Sequence, residues 1–296
     1  MIPNMMEPPV LIIAAGRSGT KMLRDILCTH SRLVTWPCDE INPIWRYGHA
    51  RYPTDELRPC HATDRVIRYV RGRFEALVRS SGGRKRIVEK TCANSLRVEY
   101  VHRILPEARF LHLVRDGRDV AASARRRWTG DVEAEYVLRK ARWVPWVDLP
   151  WYALSFASRR VRRSLSPEKR LPTWGPRFDG IDSMTHDHAL IEVCGVQWSR
   201  CVDAAREGFR AVPSDQILEI RYEELVRRPG DVFAEIFRFC DLEFESDCRR
   251  RIDEVVTEGN IGKHRADLNE ADLARLMARI GPILEREGYI GGSKGG

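Results

Sequence analysis

The sequence predicts an α/β fold in which a central, mostly parallel β-sheet is covered by helices on both faces. Short apolar runs alternate with helical patterns along the 296 residues, as in parallel strands joined by crossover helices. Each unusual polar motif follows directly after one of these runs, and such sheets bind ligands at the carboxyl ends of their strands. With 43% hydrophobic residues, the chain can also fill a sizeable core.

The elements follow in a regular order. The first unit is a strand at 10–15, a turn at 16–20 and a helix at about 20–29. The later elements are a strand at 86–91, a helix at 95–106, a strand at 109–115, a turn and helix at 116–128, a helix at about 189–208, a strand at 216–222, and helices at 230–240 and about 269–287. Pro106 ends the helix at 95–106, because a proline disfavours helical backbone in the residue before it.

The chain is predicted to form one domain over 1–296, since no Gly/Ser-rich or Pro-rich linker divides it. Residues 143–185 interrupt the strand–helix rhythm with five prolines, four tryptophans and a basic run. We interpret this stretch as an inserted, irregular or helical lid on the acceptor side of a site. The C-terminal residues 291–296, "GGSKGG", are expected to fray.

Composition limits the class of protein. The excess of 50 Lys and Arg over 42 Asp and Glu suits an anionic ligand, but it does not choose among a nucleotide, a nucleic acid and a membrane surface. The eight cysteines include no Cys-x-x-Cys pair, which argues against a zinc ribbon or a redox dithiol. The N-terminus does not resemble a signal peptide and no apolar run is long enough for a membrane span, so a cytoplasmic protein is expected.

The first turn, in "AAGRSGTKML" at 14–23, has the composition of a phosphate cradle. It places glycines, cations and hydroxyls in close succession: Gly16, Arg17, Ser18, Gly19, Thr20 and Lys21. Glycines let backbone N–H groups approach a ligand, and the start of a helix adds unpaired N–H groups with a positive dipole end.

The order of residues in this turn differs from that of a nucleotide-triphosphate loop. A Walker A motif has Gly-Lys-Ser/Thr, in which the hydroxyl holds Mg²⁺. Here Thr20 comes before Lys21. The turn therefore indicates a binder of a phosphate-type group without a metal.

A second anion site is predicted after the strand at 109–115. Arg115 stands at the end of this strand and Ser123 lies eight residues later, in the following helix. The Asp116-Gly117 turn would bring both side chains to one side. Alone, the pair is weak evidence, and a surface salt bridge is the more probable explanation.

Taken in order, "GRSGT", "EKT", "LVRDGRDVAAS" and "IRYEEL" resemble the sulfotransferases that use 3′-phosphoadenosine 5′-phosphosulfate (PAPS). The resemblance is closer to the glycan, protein-tyrosine and bacterial branch than to the cytosolic small-molecule branch. It implies a three-layer, P-loop-like fold, PAPS as sulfate donor without a metal, and an acceptor that carries a hydroxyl group.

The resemblance also implies roles for particular residues. The 5′-phosphosulfate would lie in the loop from Gly16 to Met22, and the 3′-phosphate at Arg115 and Ser123. Tyr222 aligns with a tyrosine near the adenine. The segment "GNIGKHRADL" resembles the family's final basic segment, which closes over the cofactor through Lys263 and Arg265.

The catalytic roles come from the same resemblance. Lys90 aligns with a strand-end lysine, so Lys90 and Lys21 are predicted to stabilise charge on the transferring group; a salt bridge between Lys90 and Glu89 is the alternative. The histidine that serves as base in the small-molecule branch is replaced by Cys92. The other branch uses a glutamate after the first helix, which predicts Glu40 as the base, with Asp39 beside it as the alternative.

Several alternatives stay open at this stage. A P-loop kinase would share the first turn, and the basic runs "ARRRW" and "RRVRR" could serve a nucleic-acid binder, although no recognisable nucleic-acid motif accompanies them. The aromatic and basic residues of 143–170 would suit contact with a membrane surface. The acceptor is expected to be carbohydrate-like or a tyrosine hydroxyl, and the sequence does not indicate the oligomeric state.

Overall fold

The computed structural model describes residues 6–83, 85–129, 143–148, 154 and 174–291. Their strands form one five-stranded sheet in the order β2-β3-β1-β4-β5. The strands are β1 (Val10–Ile13), β2 (Leu33–Val34), β3 (Arg86–Glu89), β4 (Arg109–Val114) and β5 (Ile217–Arg221). Every described pairing is parallel, so the prediction of a mostly parallel sheet is confirmed.

Helices connect these strands and follow the last one. Their bounds are α1 Thr20–Leu27, α2 Asn42–Trp45, α3 Asp64–Ser80, α4 Val98–Ile104, α5 Gly117–Thr129, α6 Ile181–Asp187, α7 Leu190–Phe209, α8 Tyr222–Arg227, α9 Pro229–Phe239, α10 Ser246–Val255, α11 His264–Asp267 and α12 Glu270–Arg286. None of the helices built from the described residues has the length and apolar character needed to cross a bilayer.

The sheet is the middle of three layers. Successive residues of β1 alternate between its two faces: Leu11 and Ile13 pack with α3 and α4, while Val10 and Ile12 pack with α1 and α9. All four are buried, as expected for a parallel strand covered on both faces. The predicted three-layer arrangement is confirmed.

Two predicted boundaries shift near the carboxyl end of β3. The strand ends at Glu89, so Lys90 and Thr91 lie beyond the sheet. The helix expected at 95–106 is divided into a 3₁₀ turn at Cys92–Leu96 and α4, which begins at Val98. This division leaves the residues after β3 in a tight turn at the edge of the sheet.

The elements without a counterpart in the sequence prediction include β2, α3 and α10. The helix α3 buries Val66, Val70 and Phe74, which recur at every fourth position and form one apolar stripe. The frequent arginines of α3 and its central Gly72 dilute this pattern.

Most of the predicted insertion at 143–185 lies outside the described residues. Of its described part, Trp143 packs against the core between the sheet, α3 and α4, Trp146 is exposed, and Ile181–Asp187 forms α6. The predicted tail at 291–296 is also outside the described residues except for Gly291.

Candidate active site

The carboxyl ends of parallel strands lie at one edge of the sheet, and the predicted site residues follow these ends. The cradle loop follows β1, Lys90 follows β3, Arg115 follows β4 and Tyr222 follows β5. Since β3 and β4 both pair with β1, the cradle loop lies between Lys90 and Arg115.

The backbone of the cradle loop has an unusual conformation at two residues. Arg17 has φ 74° and Gly19, immediately before α1, has φ 94°. A Cβ atom on Gly19 would lie 2.7 Å from two carbons of the Tyr222 ring. Glycine is therefore required here for two reasons, the left-handed backbone and the close approach of Tyr222.

The start of α1 offers unpaired hydrogen-bond donors. No side chain caps its first turn. The Ser18 side chain is buried, and its Oγ atom has no hydrogen-bond partner among the described residues. A buried hydroxyl without a partner is costly, so the loop has an unmet capacity to bind a polar group.

The next residues of the loop are engaged with the protein. Thr20 Oγ1 lies 3.8 Å from Cys92 Sγ, and the Met22 side chain packs against the core between the sheet, α1 and α9. The exposed Lys21 side chain forms an ion pair with Asp25, one turn further along α1. Lys21 must leave Asp25 before its ammonium group can face a ligand in the loop.

Arg17, Ser123 and Arg115 come together on the other side of the loop. Arg17 Nε donates to Ser123 Oγ at 3.0 Å, and Arg115 Nη1 donates to the Arg17 carbonyl oxygen at 2.9 Å. The two predicted anion sites therefore share the Arg17 side chain. Burial, and then the positive charges of Arg127 and Arg115, lower the pKa of Arg17. Such a concentration of cations favours an anionic ligand.

The Arg115 guanidinium is held over an aromatic ring. Its carbon lies 4.2 Å from the centroid of Tyr222, within cation–π distance. Nη2 donates to the Asn260 carbonyl oxygen at 2.6 Å, whereas the buried Nε has no partner among the described residues. The Nε–H donor of Arg115 is thus not used by the described residues.

The C-terminal basic segment is tied to the same region by Asp119. The Asp119 carboxylate accepts hydrogen bonds from the backbone N–H groups of Gly262 at 2.8 Å and His264 at 2.9 Å, and lies 2.7 Å from His264 Nδ1. Burial raises the pKa of Asp119, but the bonds from His264 and Gly262 outweigh it and hold the pKa below its ordinary value. Lys263 and Arg265 stay exposed on either side of the buried His264.

The predicted base and the strand-end lysine are in contact. Lys90 Nζ lies 3.4 Å from Glu40 Oε1 and 3.0 Å from Asp39 Oδ1. Lys90 is thus a salt-bridge partner of Asp39 and Glu40, whereas the alternative had named Glu89. Its role toward a transferring group stays a prediction. Burial acts against the charged amine, but Glu40 and Asp39 raise the pKa of Lys90, so it remains a cation.

Two further bonds fix the backbone around Glu40. The Cys92 backbone N–H donates to Glu40 Oε1 at 3.3 Å, and the Ile41 N–H donates to Thr91 Oγ1 at 3.1 Å. The Thr91 hydroxyl in turn donates to Glu89 Oε1 at 2.5 Å. Burial raises the pKa of Glu89 to about 7, although the bond from Thr91 opposes this shift.

Sequence reasoning missed Glu89 and Arg24 as parts of this site. Arg24 Nη1 donates to the Asp39 carbonyl oxygen at 3.0 Å, although the two residues belong to different elements. The available signal for Glu89 was its place beside Lys90 in "EKT"; nothing in the sequence distinguished Arg24 from a surface arginine of α1. Among the described residues, no three His, Cys, Asp or Glu side chains are placed to share a metal ion.

Comparison with known proteins agrees with this architecture. The family model described as the sulfotransferase family matches residues 8–147 and 178–246, well over half of the chain. The unmatched stretch between these ranges falls in the predicted insertion. No curated protein matches the chain significantly.

Solved structures share the fold at low sequence identity. The sulfotransferase domain of the Synechococcus PCC 7002 olefin synthase is 16% identical with TM-score 0.51, over 93% of this chain and 95% of that one. Mouse sulfotransferase SULT7A1, solved in complex with PAP, is 12% identical with TM-score 0.51, over 96% and 86%. Sulfotransferase STF9 from Mycobacterium avium is 12% identical with TM-score 0.50, over 96% and 79%.

The fold and the family model together confirm the resemblance that the strand-end motifs predicted. The likeness to solved structures supports the P-loop-like architecture, while the family model carries the assignment as an enzyme of this class. The placement within a branch of the family stays a prediction. This chain belongs to the sulfotransferase family.

Proposed function

We propose that the protein transfers the sulfuryl group of PAPS to the hydroxyl group of an acceptor, with Glu40 as the base. The observation that carries this proposal is the placement of two clusters of charged side chains on either side of the cradle loop. The Glu40–Lys90 pair follows the strands on one side of β1, and the Arg17–Ser123–Arg115 cluster follows β4 on the other side.

The residues at the sheet edge fit a ligand with two separate phosphate-type groups. The orphaned hydroxyl of Ser18 and the N–H groups at the start of α1 would hold the 5′-phosphosulfate. The unpartnered Nε of Arg115, together with Arg17 and Ser123, would hold the 3′-phosphate. The resemblance implies that the adenine would lie near Tyr222, whose buried ring is beneath the Arg115 guanidinium. Lys263 and Arg265 would add charge from the C-terminal segment.

PAPS supplies the sulfuryl group, and 3′-phosphoadenosine 5′-phosphate (PAP) is the leaving group. Glu40 takes the proton of the acceptor hydroxyl as the new oxygen–sulfur bond forms and the bond between sulfur and the bridging phosphate oxygen breaks. Lys90 and Lys21 neutralise the charge that develops on the leaving phosphate and the sulfuryl oxygens. Lys90 is already beside Glu40, whereas Lys21 has to exchange Asp25 for the ligand.

Cys92 supports a carboxylate base in preference to another group at that position. Its thiol is buried, and burial raises its pKa well above the ordinary value. A thiol that stays protonated is a poor base. The base is therefore better sought in Glu40, which accepts the Cys92 backbone N–H.

The acceptor is proposed to be carbohydrate-like or a tyrosine hydroxyl, in line with the predicted branch. Peripheral contact with a membrane through 143–170 stays a prediction, because most of that segment lies outside the described residues.

The test is transfer of labelled sulfate from PAPS to a panel of glycans, lipids, phenols and tyrosine peptides, with PAP release measured in the same samples. We expect labelled product and PAP in equal amounts for one acceptor class. A parallel reaction with γ-labelled ATP tests the kinase alternative. Phosphate transfer without any sulfate transfer would refute the proposal, as would failure to bind PAP.

A further inference from the structure

A continuous series of charged side chains joins the two predicted catalytic lysines. Lys21 pairs with Asp25, and Asp25 also accepts hydrogen bonds from Arg24. Arg24 contacts Asp39, and Asp39 contacts Lys90. We call these five residues the charge chain.

Arg24 is the centre of the charge chain. Its side chain is 9% exposed, and each nitrogen of its guanidinium group is used. Nε and Nη2 donate to Asp25 Oδ1 at 2.9 Å and 2.7 Å, while Nη1 donates to the Asp39 carbonyl oxygen at 3.0 Å and lies 3.3 Å from Asp39 Oδ1. A planar guanidinium can hold two partners in fixed directions, which a lysine ammonium cannot do.

We infer that Arg24 is a positioning residue that couples the cradle loop to the Glu40–Lys90 pair. The inference rests on the proposed function, since it concerns the geometry of that reaction. Arg24 does not need to touch PAPS or the acceptor for this role. It acts through Asp25 on Lys21 and through Asp39 on Lys90.

On the side of the cradle loop, Arg24 makes the release of Lys21 less costly. When Lys21 leaves Asp25 for an anionic ligand, Asp25 keeps both donors of Arg24 and is not left as an uncompensated charge. The Lys21 side chain is 70% exposed, so its ammonium group is free to reorient in solvent. Without Arg24, Asp25 would hold Lys21 more tightly and compete with the ligand.

On the side of the base, Arg24 fixes the place of Lys90. Asp39 Oδ1 lies 3.3 Å from Arg24 Nη1 and 3.0 Å from Lys90 Nζ, so one carboxylate oxygen serves two cations. This arrangement makes Asp39 an anchor for Lys90. Lys90 is 4% exposed and has little room to find another position once Asp39 is displaced.

The test is a comparison of Arg24→Lys and Arg24→Gln with the wild type. We expect kcat to fall by about 100-fold in Arg24→Gln, as for a small misplacement of reacting groups. In Arg24→Lys it should recover only in part, because lysine restores the charge but not the planar guanidinium that binds both carboxylates. PAP affinity should also fall, because Asp25 then competes with the ligand for Lys21, but by less than kcat. The pH–rate profile should move in both variants, because the charges around Glu40 are rearranged.

Arg86→Lys is the matched control. Arg86 is also buried, at 4% exposure, but donates to the carbonyl oxygens of Pro8 and Cys240, away from the charge chain. This control should lower the melting temperature and leave kcat and the pH–rate profile unchanged.

The outcomes separate the inference from the proposed function. If the wild type transfers sulfate and both Arg24 variants retain its kcat and pH–rate profile, the positioning role is refuted while the proposed function stands. A loss of kcat that only follows the unfolded fraction would refute it equally. A wild type that transfers no sulfate from PAPS would overturn the proposed function and this inference with it.

Discussion

Replacing Gly19 by alanine tests whether the cradle loop has the conformation described above. An L-residue in the left-handed region costs about 1–2 kcal/mol, and Gly19 has φ 94°. The new Cβ would lie 2.7 Å from two ring carbons of Tyr222, where ordinary contact begins at 3.4 Å. Relieving such an overlap costs about 1–3 kcal/mol. We therefore expect Gly19→Ala to lower the free energy of unfolding by roughly 2–5 kcal/mol.

Thermal unfolding and PAP binding measure the two consequences. A domain of this size loses about 2 °C of melting temperature per kcal/mol, so a decrease of roughly 4–10 °C is expected. PAP affinity should also fall, because the Tyr222 ring that must move carries the Arg115 guanidinium. Calorimetry with PAP measures this second effect separately from stability.

A second substitution separates the two causes. In a Tyr222→Leu background the overlap is relieved, so Gly19→Ala should cost only the backbone term of about 1–2 kcal/mol. Gly72→Ala is the matched control, because its added Cβ meets nothing within 4 Å in the interior of α3; it should stabilise the protein by about 0.5–1 kcal/mol. A Gly19→Ala protein that melts with the wild type and binds PAP equally well would refute the loop geometry.

Three further predictions concern the site. Glu40→Gln should lower kcat by about 10²–10⁴-fold with PAP affinity nearly unchanged, which steady-state kinetics and calorimetry can check; retained turnover would exclude Glu40 as the base. Arg115→Ala should weaken PAP much more than AMP, by about 1.5–3 kcal/mol for a charge-assisted bond; equal losses would contradict a 3′-phosphate site. Burial raises the pKa of Glu89 from 4.5 to about 7. Between these pH values Glu89 is ionised mainly in the unfolded state, so the free energy of unfolding falls as pH rises, by on the order of 3 kcal/mol in total. Chemical denaturation across this range should show the slope, and Glu89→Gln should abolish it.

The sequence was sufficient to place β1, β3, β4 and β5, with their carboxyl ends within two residues of those observed, because physical rules restrict such strands strongly. Apolar runs such as 10–13 and 109–114 can be buried on both faces only in a covered parallel sheet. Parallel pairing then brings Lys90, Arg115 and Tyr222 to one edge, whatever the lengths of the intervening segments. The fold class and the grouping of these residues follow from that constraint.

Contacts between separate elements could not be predicted in the same way. The strand β2 has two residues, which is too short for any periodic pattern. Without β2, nothing in the sequence places Asp39 beside Arg24, or Glu40 beside the Cys92 backbone. Such contacts depend on how loops and helices pack in three dimensions, and local propensity does not encode them.

The shortness of β2 also affects how the segment that carries Glu40 is held. Only Leu33 and Val34 pair with β3, and Glu40 lies six residues beyond them. The segment that carries Glu40 therefore makes few backbone bonds to the sheet. It is held by side-chain bonds, such as those with Lys90 and Thr91, and by the buried side chains of Trp36 and Ile41 on either side of Glu40. We expect the backbone amides between Val34 and Glu40 to exchange with solvent ahead of those of β1, which pairs with a strand on each side.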